Sequence, residues 1–172
     1  MTLPNEINYQ VAFENADHYR RFKIDGSEFT HDITLGLSKF GESSGQKFEV
    51  VIGGWVGTGS IIRNRTSDDE FTDLIPHATH SREEFDNFKN DIELIATDGQ
   101  IIVKANGNVL MQYEDSSIKK SELKYLLATG GWNGHGTLTI SGCTATETEE
   151  ETTTQTTTQK PIESTTTPKP KG

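Results

Sequence analysis

Gly53-Gly54-Trp55-Val56-Gly57-Thr58-Gly59-Ser60 and Gly130-Gly131-Trp132-Asn133-Gly134-His135-Gly136-Thr137 are two copies of one phrase, G-G-W-x-G-x-G-[S/T]. Each copy follows an apolar run (48–52; 125–128) and precedes another (61–62; 138–140). The simplest reading is a strand, a glycine-rich bend carrying one tryptophan, and a second strand. Glycines at this density supply positive φ or a close backbone approach that a side chain forbids. Trp55 and Trp132 are the only tryptophans in the chain. Each is either a plug closing the core or a ring offered to a ligand.

Outward from the first copy, the period of the pattern is two. Phe48, Val50 and Ile52 share one face, and upstream Ile33, Leu35 and Leu37 alternate with Thr34, Gly36 and Ser38. Residues 7–13 and 19–24 predict two further strands, with Asp25-Gly26 turning the chain. Downstream, Asp98-Gly99 and Asn106-Gly107 separate three β-rich runs, the dipeptides of two-residue hairpins, and predict a meander. Leu123, Tyr125 and Leu127 alternate into the second bend. Between the bends, Ser81-Arg82-Glu83-Glu84 fits a capping box, but Phe88, Ile92 and Leu94 favour a strand beginning at Phe85 or Phe88. About ten short strands with frequent turn signals define the expected class. It is an all-β antiparallel sandwich of jelly-roll type.

Apolar residues make up 31% of the 172 residues, and the deficit lies at the C-terminus. From Thr144 onward Ile162 is the one large apolar residue, among runs such as Thr152-Thr153-Thr154 and Thr165-Thr166-Thr167. Such a segment buries too little to offset its ordering entropy. The expected organisation is a domain over residues 1–143 and a disordered Thr/Pro/Lys-rich tail over 144–172. That tail reads as a stalk of the kind that carries O-glycans on secreted proteins.

Net charge is −10, of which the tail, with five Glu against three Lys, holds −2. An acidic body excludes the electrostatic footprint of nucleic-acid binding and attraction to anionic lipid. No apolar stretch approaches membrane-spanning length. The opening Met1-Thr2-Leu3-Pro4-Asn5-Glu6 shows no signal peptide. An extracellular protein is expected on the strength of the stalk, and a cytoplasmic one if Met1 is the native start. Asn64-Arg65-Thr66 is an N-glycosylation sequon placed in an expected loop. Cys143 is the single cysteine, which rules out an intrachain disulfide and leaves an interchain link at the junction with the tail as an option.

The segment 48–55, with Ser60-Ile61-Ile62-Arg63 after it, resembles the farnesoic acid O-methyltransferase-like domain of arthropods and other animals. That family runs "yEivIGGW…S.IR", then an F-rich strand, a "G.I.V" hairpin and a terminal glycine bend. The later parts are similar to residues 85–94, to Gly99-Gln100-Ile101-Ile102-Val103, and to residues 130–140, so the likeness spans about 29–141. The resemblance implies transfer of a methyl group from S-adenosylmethionine to farnesoic acid, giving methyl farnesoate in juvenile hormone synthesis. The residues themselves point elsewhere. A nucleotide-type glycine turn joins a parallel strand to a helix, whereas Ile61-Ile62-Arg63 after the bend is β-like.

Other residue groupings fall short on spacing. His77 and His80 with Asp73 offer two imidazoles and a carboxylate, short of a convergent metal set. Asp68-Asp69-Glu70 lacks calcium-loop spacing, and a triad from Ser60, His135 and an aspartate has no sequence warrant. No catalytic residue and no metal ligand is therefore assigned, and no cofactor is expected, S-adenosylmethionine being the alternative. The two bends remain as the candidate site: Trp55, Thr58, Ser60, Arg63, Trp132, Asn133 and His135. An aromatic platform with a few polar groups suits a glycan or a small amphipathic ligand. A non-catalytic recognition module is the expected function.

Overall fold

The computed structural model describes residues 9–29, 32–43, 45–67, 70–129 and 136–144, and the backbone of 152–159. Two antiparallel sheets face each other. Sheet A runs in the order β1 (Gln10–Glu14), β11 (Tyr125–Thr129), β3 (Ile33–Ser38), β4 (Lys47–Gly53), β5 (Gly59–Arg65) and β6 (Phe71–Asp73), with β7 (Ala78–Thr79) also on β5. Sheet B runs β10 (Asn108–Glu114), β9 (Gln100–Ala105), β8 (Ile92–Thr97), β2 (Tyr19–Phe29), β12 (Gly136–Thr144) and β13 (Thr152–Gln159). The expected all-β sandwich is the fold.

The alternating residues make the core between the sheets. Ile33, Leu35, Leu37, Val50, Ile52 and Ile62 of sheet A meet Ile24, Leu94, Ile101, Val103, Leu138 and Ile140 of sheet B. Each is essentially water-free, and burial of such a side chain contributes about 1.5–3 kcal/mol. Asp98-Gly99 and Asn106-Gly107 close two hairpins, with Thr97 paired to Gln100 and Ala105 to Asn108. Asn106, Gly107 and Gly99 have positive φ, as these turns require.

Five expectations need correction. Residues 82–88 form a helix (Arg82–Phe88) rather than the start of a strand. Both halves of the Ser81/Glu84 capping box are made, and Phe85 and Phe88, one turn apart, go into the core together. Asp25-Gly26 does not turn the chain. It lies inside β2 at a bulge, where the pairing with β12 slips between Thr137 and Thr139.

The tail is not wholly irregular either. Thr152–Gln159 lies along β12 in continuous antiparallel register, Thr152 opposite Cys143 and Gln159 opposite Gly136. A strand that needs backbone partners on one side only can be built from β-branched threonines without burying much apolar surface. Residues 145–151 and 160–172 lie outside the described residues. Finally, Cys143 is 1% exposed within β12, so its thiol is not presented for an interchain disulfide. Asn64 is likewise not in a loop: it is a half-buried residue of β5, paired between Phe48 and Thr72.

β4 and β11 both pair antiparallel to β3, one on each side. They therefore run in the same direction, and both end beside the first residues of β3, where Ile52 faces Ile33 and Thr129 faces Thr34. The strands that lead into the two glycine phrases thus finish at one end of sheet A, about 10 Å apart at ordinary strand spacing.

Candidate aromatic site on the outer face of sheet A

The first bend is a run of left-handed backbone. Gly53 (φ 76), Trp55 (φ 53), Val56 (φ 61) and Gly57 (φ 84) all have positive φ. For tryptophan and above all for β-branched valine this conformation is strained, at about 1–2 kcal/mol per residue. Closure of the turn enforces it. Thr58 donates its N–H to the Gly54 and Trp55 carbonyls and its hydroxyl to Trp55, and Gly54 bridges to Gly59. The result is a projecting pair, with Trp55 50% and Val56 74% exposed.

The glycines serve the protein's own packing. A Cβ on Gly53 would lie 2.3 Å from the Phe85 ring, and one on Gly57 3.0 Å from Arg82 Cγ. The helix Arg82–Phe88 fills the concavity of the turn, and the turn joins two antiparallel strands.

The outward face of sheet A is unusually polar for its burial. One row across the strands is Gly36, Glu49, Arg63 and Asp73. Glu49 is 0% exposed and is held by Arg65, through Nε at 2.7 Å and an Nη at 3.1 Å, and by the Tyr9 hydroxyl. Burial, then the Glu49 charge, push the Tyr9 phenol well above its ordinary range. Arg63 is held less tightly. Its buried Nε has no hydrogen-bond partner among the described residues and lies 3.7 Å from both Glu49 Oε1 and Asp73 Oδ1.

Over this row lie rings. The Arg63 guanidinium is 5.8 Å from the centre of the Trp55 ring and 4.3 Å from that of Phe71, which is half exposed. His77 packs against Trp55 with centroids 4.4 Å apart, and its Nε2 is 3.5 Å from Asp73 Oδ2. Trp55, Arg63, Phe71, Asp73 and His77 therefore form one cluster.

Of the residues expected at the site, the structure joins Trp55 and Arg63. Thr58 is exposed at the bend, its hydroxyl engaged by the Trp55 carbonyl. Ser60 is corrected: it is 0% exposed, accepts the Gly53 N–H at 3.1 Å and pairs with His80 Nε2 at 2.9 Å, so it supports the bend from within. Trp132, Asn133 and His135 lie outside the described residues. His80, turned to Ser60, does not join His77 and Asp73. Phe71 was missed because β6 reaches the site by pairing with β5, which no local pattern announces.

A two-sheet antiparallel sandwich with a strained, tryptophan-bearing IGGW turn is the class that fold and site define. The chain belongs to the farnesoic acid O-methyl transferase family, whose model matches residues 4–141. No curated protein matches the chain. Among solved structures, sheep galectin-11, in complex with glycerol, is similar at 12% identity and a TM-score of 0.47, over 74% of this chain and 92% of its own. SCLam, a non-specific endo-β-1,3(4)-glucanase from family GH16, is similar at 13% identity and a TM-score of 0.39. That likeness covers 67% of this chain and 49% of the glucanase, so the chain spans about half the glucanase's length.

Proposed function

We propose that the chain is a non-catalytic recognition module that binds a glycan through the Trp55 cluster, outside the cell. The observation that carries this reading is the half-exposed Trp55 ring, held against His77 and beside Arg63 and Asp73 by a backbone that accepts strain to present it. A strained backbone at an exposed aromatic residue points to function rather than packing. A flat ring covers the apolar face of a sugar, and the flanking guanidinium, carboxylate and imidazole supply donors and acceptors for its hydroxyls. The Thr-rich C-terminal segment, with its capacity for O-glycans, supports the extracellular placement.

The family's description favours a second reading, methyl transfer from S-adenosylmethionine to a farnesoic acid carboxylate. The packing of Phe85 and Arg82 into the glycine turn counts against a cofactor loop there. Binding of the whole chain to an oligosaccharide panel, with Trp55→Ala alongside, tests the first reading, and calorimetric titration with S-adenosylmethionine tests the second. Glycan binding abolished by Trp55→Ala is the expected result. A flat panel together with S-adenosylmethionine heat would reverse the order of the two readings.

A further inference from the structure

The charges around Arg63 define which sugars this site accepts. Resting on the glycan-binding reading above, we infer that the Trp55 site selects neutral sugars, a hydroxyl being taken between Arg63 and Asp73, and rejects acidic ones.

The side chain of Arg63 is nine-tenths buried, and its Nε carries a donor with no acceptor in hydrogen-bond range among the described residues. The nearest carboxylate oxygens, Asp73 Oδ1 and Glu49 Oε1, both stand at 3.7 Å, too far to bond and close enough to neutralise. A buried donor left in this state is costly, and a ligand atom that satisfies it is rewarded.

The two carboxylates decide what that atom can be. A hydroxyl accepts from Arg63 and donates to Asp73, so both protein groups gain. A ligand carboxylate or sulfate also accepts from Arg63, but has no proton for Asp73 and meets it as a like charge. Among the described residues, the other basic side chains that contact these carboxylates are already engaged. Arg65 is committed to Glu49 through two bonds, and His77 already leans on Asp73 Oδ2. The chain as a whole carries −10, which adds long-range repulsion of an anion.

The donor is covered by rings, and Phe71 is the cover that can yield. It lies in a three-residue edge strand in which every residue is exposed, whereas Trp55 is held by the closed turn. A sugar seated on the Trp55 face, displacing Phe71, brings a ring hydroxyl to Arg63.

The test is a matched pair of oligosaccharides of the same linkage, one neutral and one with its hydroxymethyl groups oxidised to uronates, titrated into the whole chain at low and high salt. The neutral member is expected to bind, and the uronate to bind about tenfold or more weakly, with the gap narrowing as salt screens it. Asp73→Asn is expected to narrow the gap as well. Equal or tighter binding of the uronate, abolished by Trp55→Ala, would overturn the selectivity while leaving the glycan-binding reading in place. Failure of both sugars, and of every other glycan tried, would remove both.

Discussion

The ring of Phe85 fills the space that a side chain at Gly53 would need. Carried on the short helix, it sits where a Cβ on Gly53 would project, at 2.3 Å. The first glycine of the repeated phrase is thus explained by a contact 32 positions away, together with its own φ of 76. Gly53→Ala is expected to lower stability by about 2–4 kcal/mol, joining a positive-φ penalty to overpacking. Phe85→Ala is expected to cost about 3–5 kcal/mol through the cavity it leaves. Because the first change clashes with what the second removes, the double variant should be less unstable than the sum. Denaturant midpoints of the four proteins measure that coupling.

Glu49 is the keystone of the buried polar row. Neutralising it in Glu49→Gln removes the charge paired with the buried Arg65 guanidinium, and the one amide oxygen left can serve Tyr9 and Arg65 Nε only by turning an amide N–H2 donor onto the Arg65 Nη donor. A loss of about 3–5 kcal/mol is expected, the range for breaking a buried pair from one side. Chemical denaturation of Glu49→Gln checks this. A change under about 1 kcal/mol, the range of an exposed pair, would mean the face is wetter than it looks.

Acid should loosen the end of the molecule near β10. Asp115 is held below the usual carboxylate range, first by the Ser117 backbone N–H, then by the Ser117 and Tyr113 hydroxyls. A depressed folded value means that its contribution is present above the unfolded value of about 3.9 and is lost as pH falls through the folded one. Below about pH 4 the wild type should therefore lose stability more steeply than Asp115→Asn. Thermal midpoints collected across the acid range test the sign.

β13 makes the C-terminal segment part of sheet B. Amides that bond across β12 and β13 should exchange well below the rate of an unstructured chain, and limited proteolysis should spare 152–159. A chain ending at 144 exposes the edge of β12 and should self-associate more readily, which light scattering at matched concentration would show.

The sequence carried most of the fold because most of it is local. Alternation at 33–38 and 48–52 and the turns at Asp98-Gly99 and Asn106-Gly107 each fix a strand or a hairpin from neighbours alone. The helix was obscured because Phe85 and Phe88 are compatible with a helical stripe, while Phe88, Ile92 and Leu94 also read as alternation. Its capping box was visible, and tertiary burial of the two rings decided between the patterns. For the tail, composition speaks for disorder, while the β-branching of its threonines favours an edge strand. At the site, Trp55 and Arg63 could be picked from the repeated phrase and the strand after it. His77 beside Asp73 was likewise legible from spacing, whereas Phe71 and the packing of His77 on Trp55 were not, since only the pairing of β6 and β7 with β5 brings them there.

The most direct test of the central claim, that the Trp55 cluster is a ligand platform, is the fluorescence of Trp55 alone. In a Trp132→Phe variant, half exposure of the remaining ring predicts ready quenching by an aqueous quencher, and a bound neutral oligosaccharide should shield the ring and shift its emission. Shielding that saturates with sugar concentration is the predicted result. A Trp55 signal that no glycan alters, in a folded protein whose ring is freely quenched, would contradict the account.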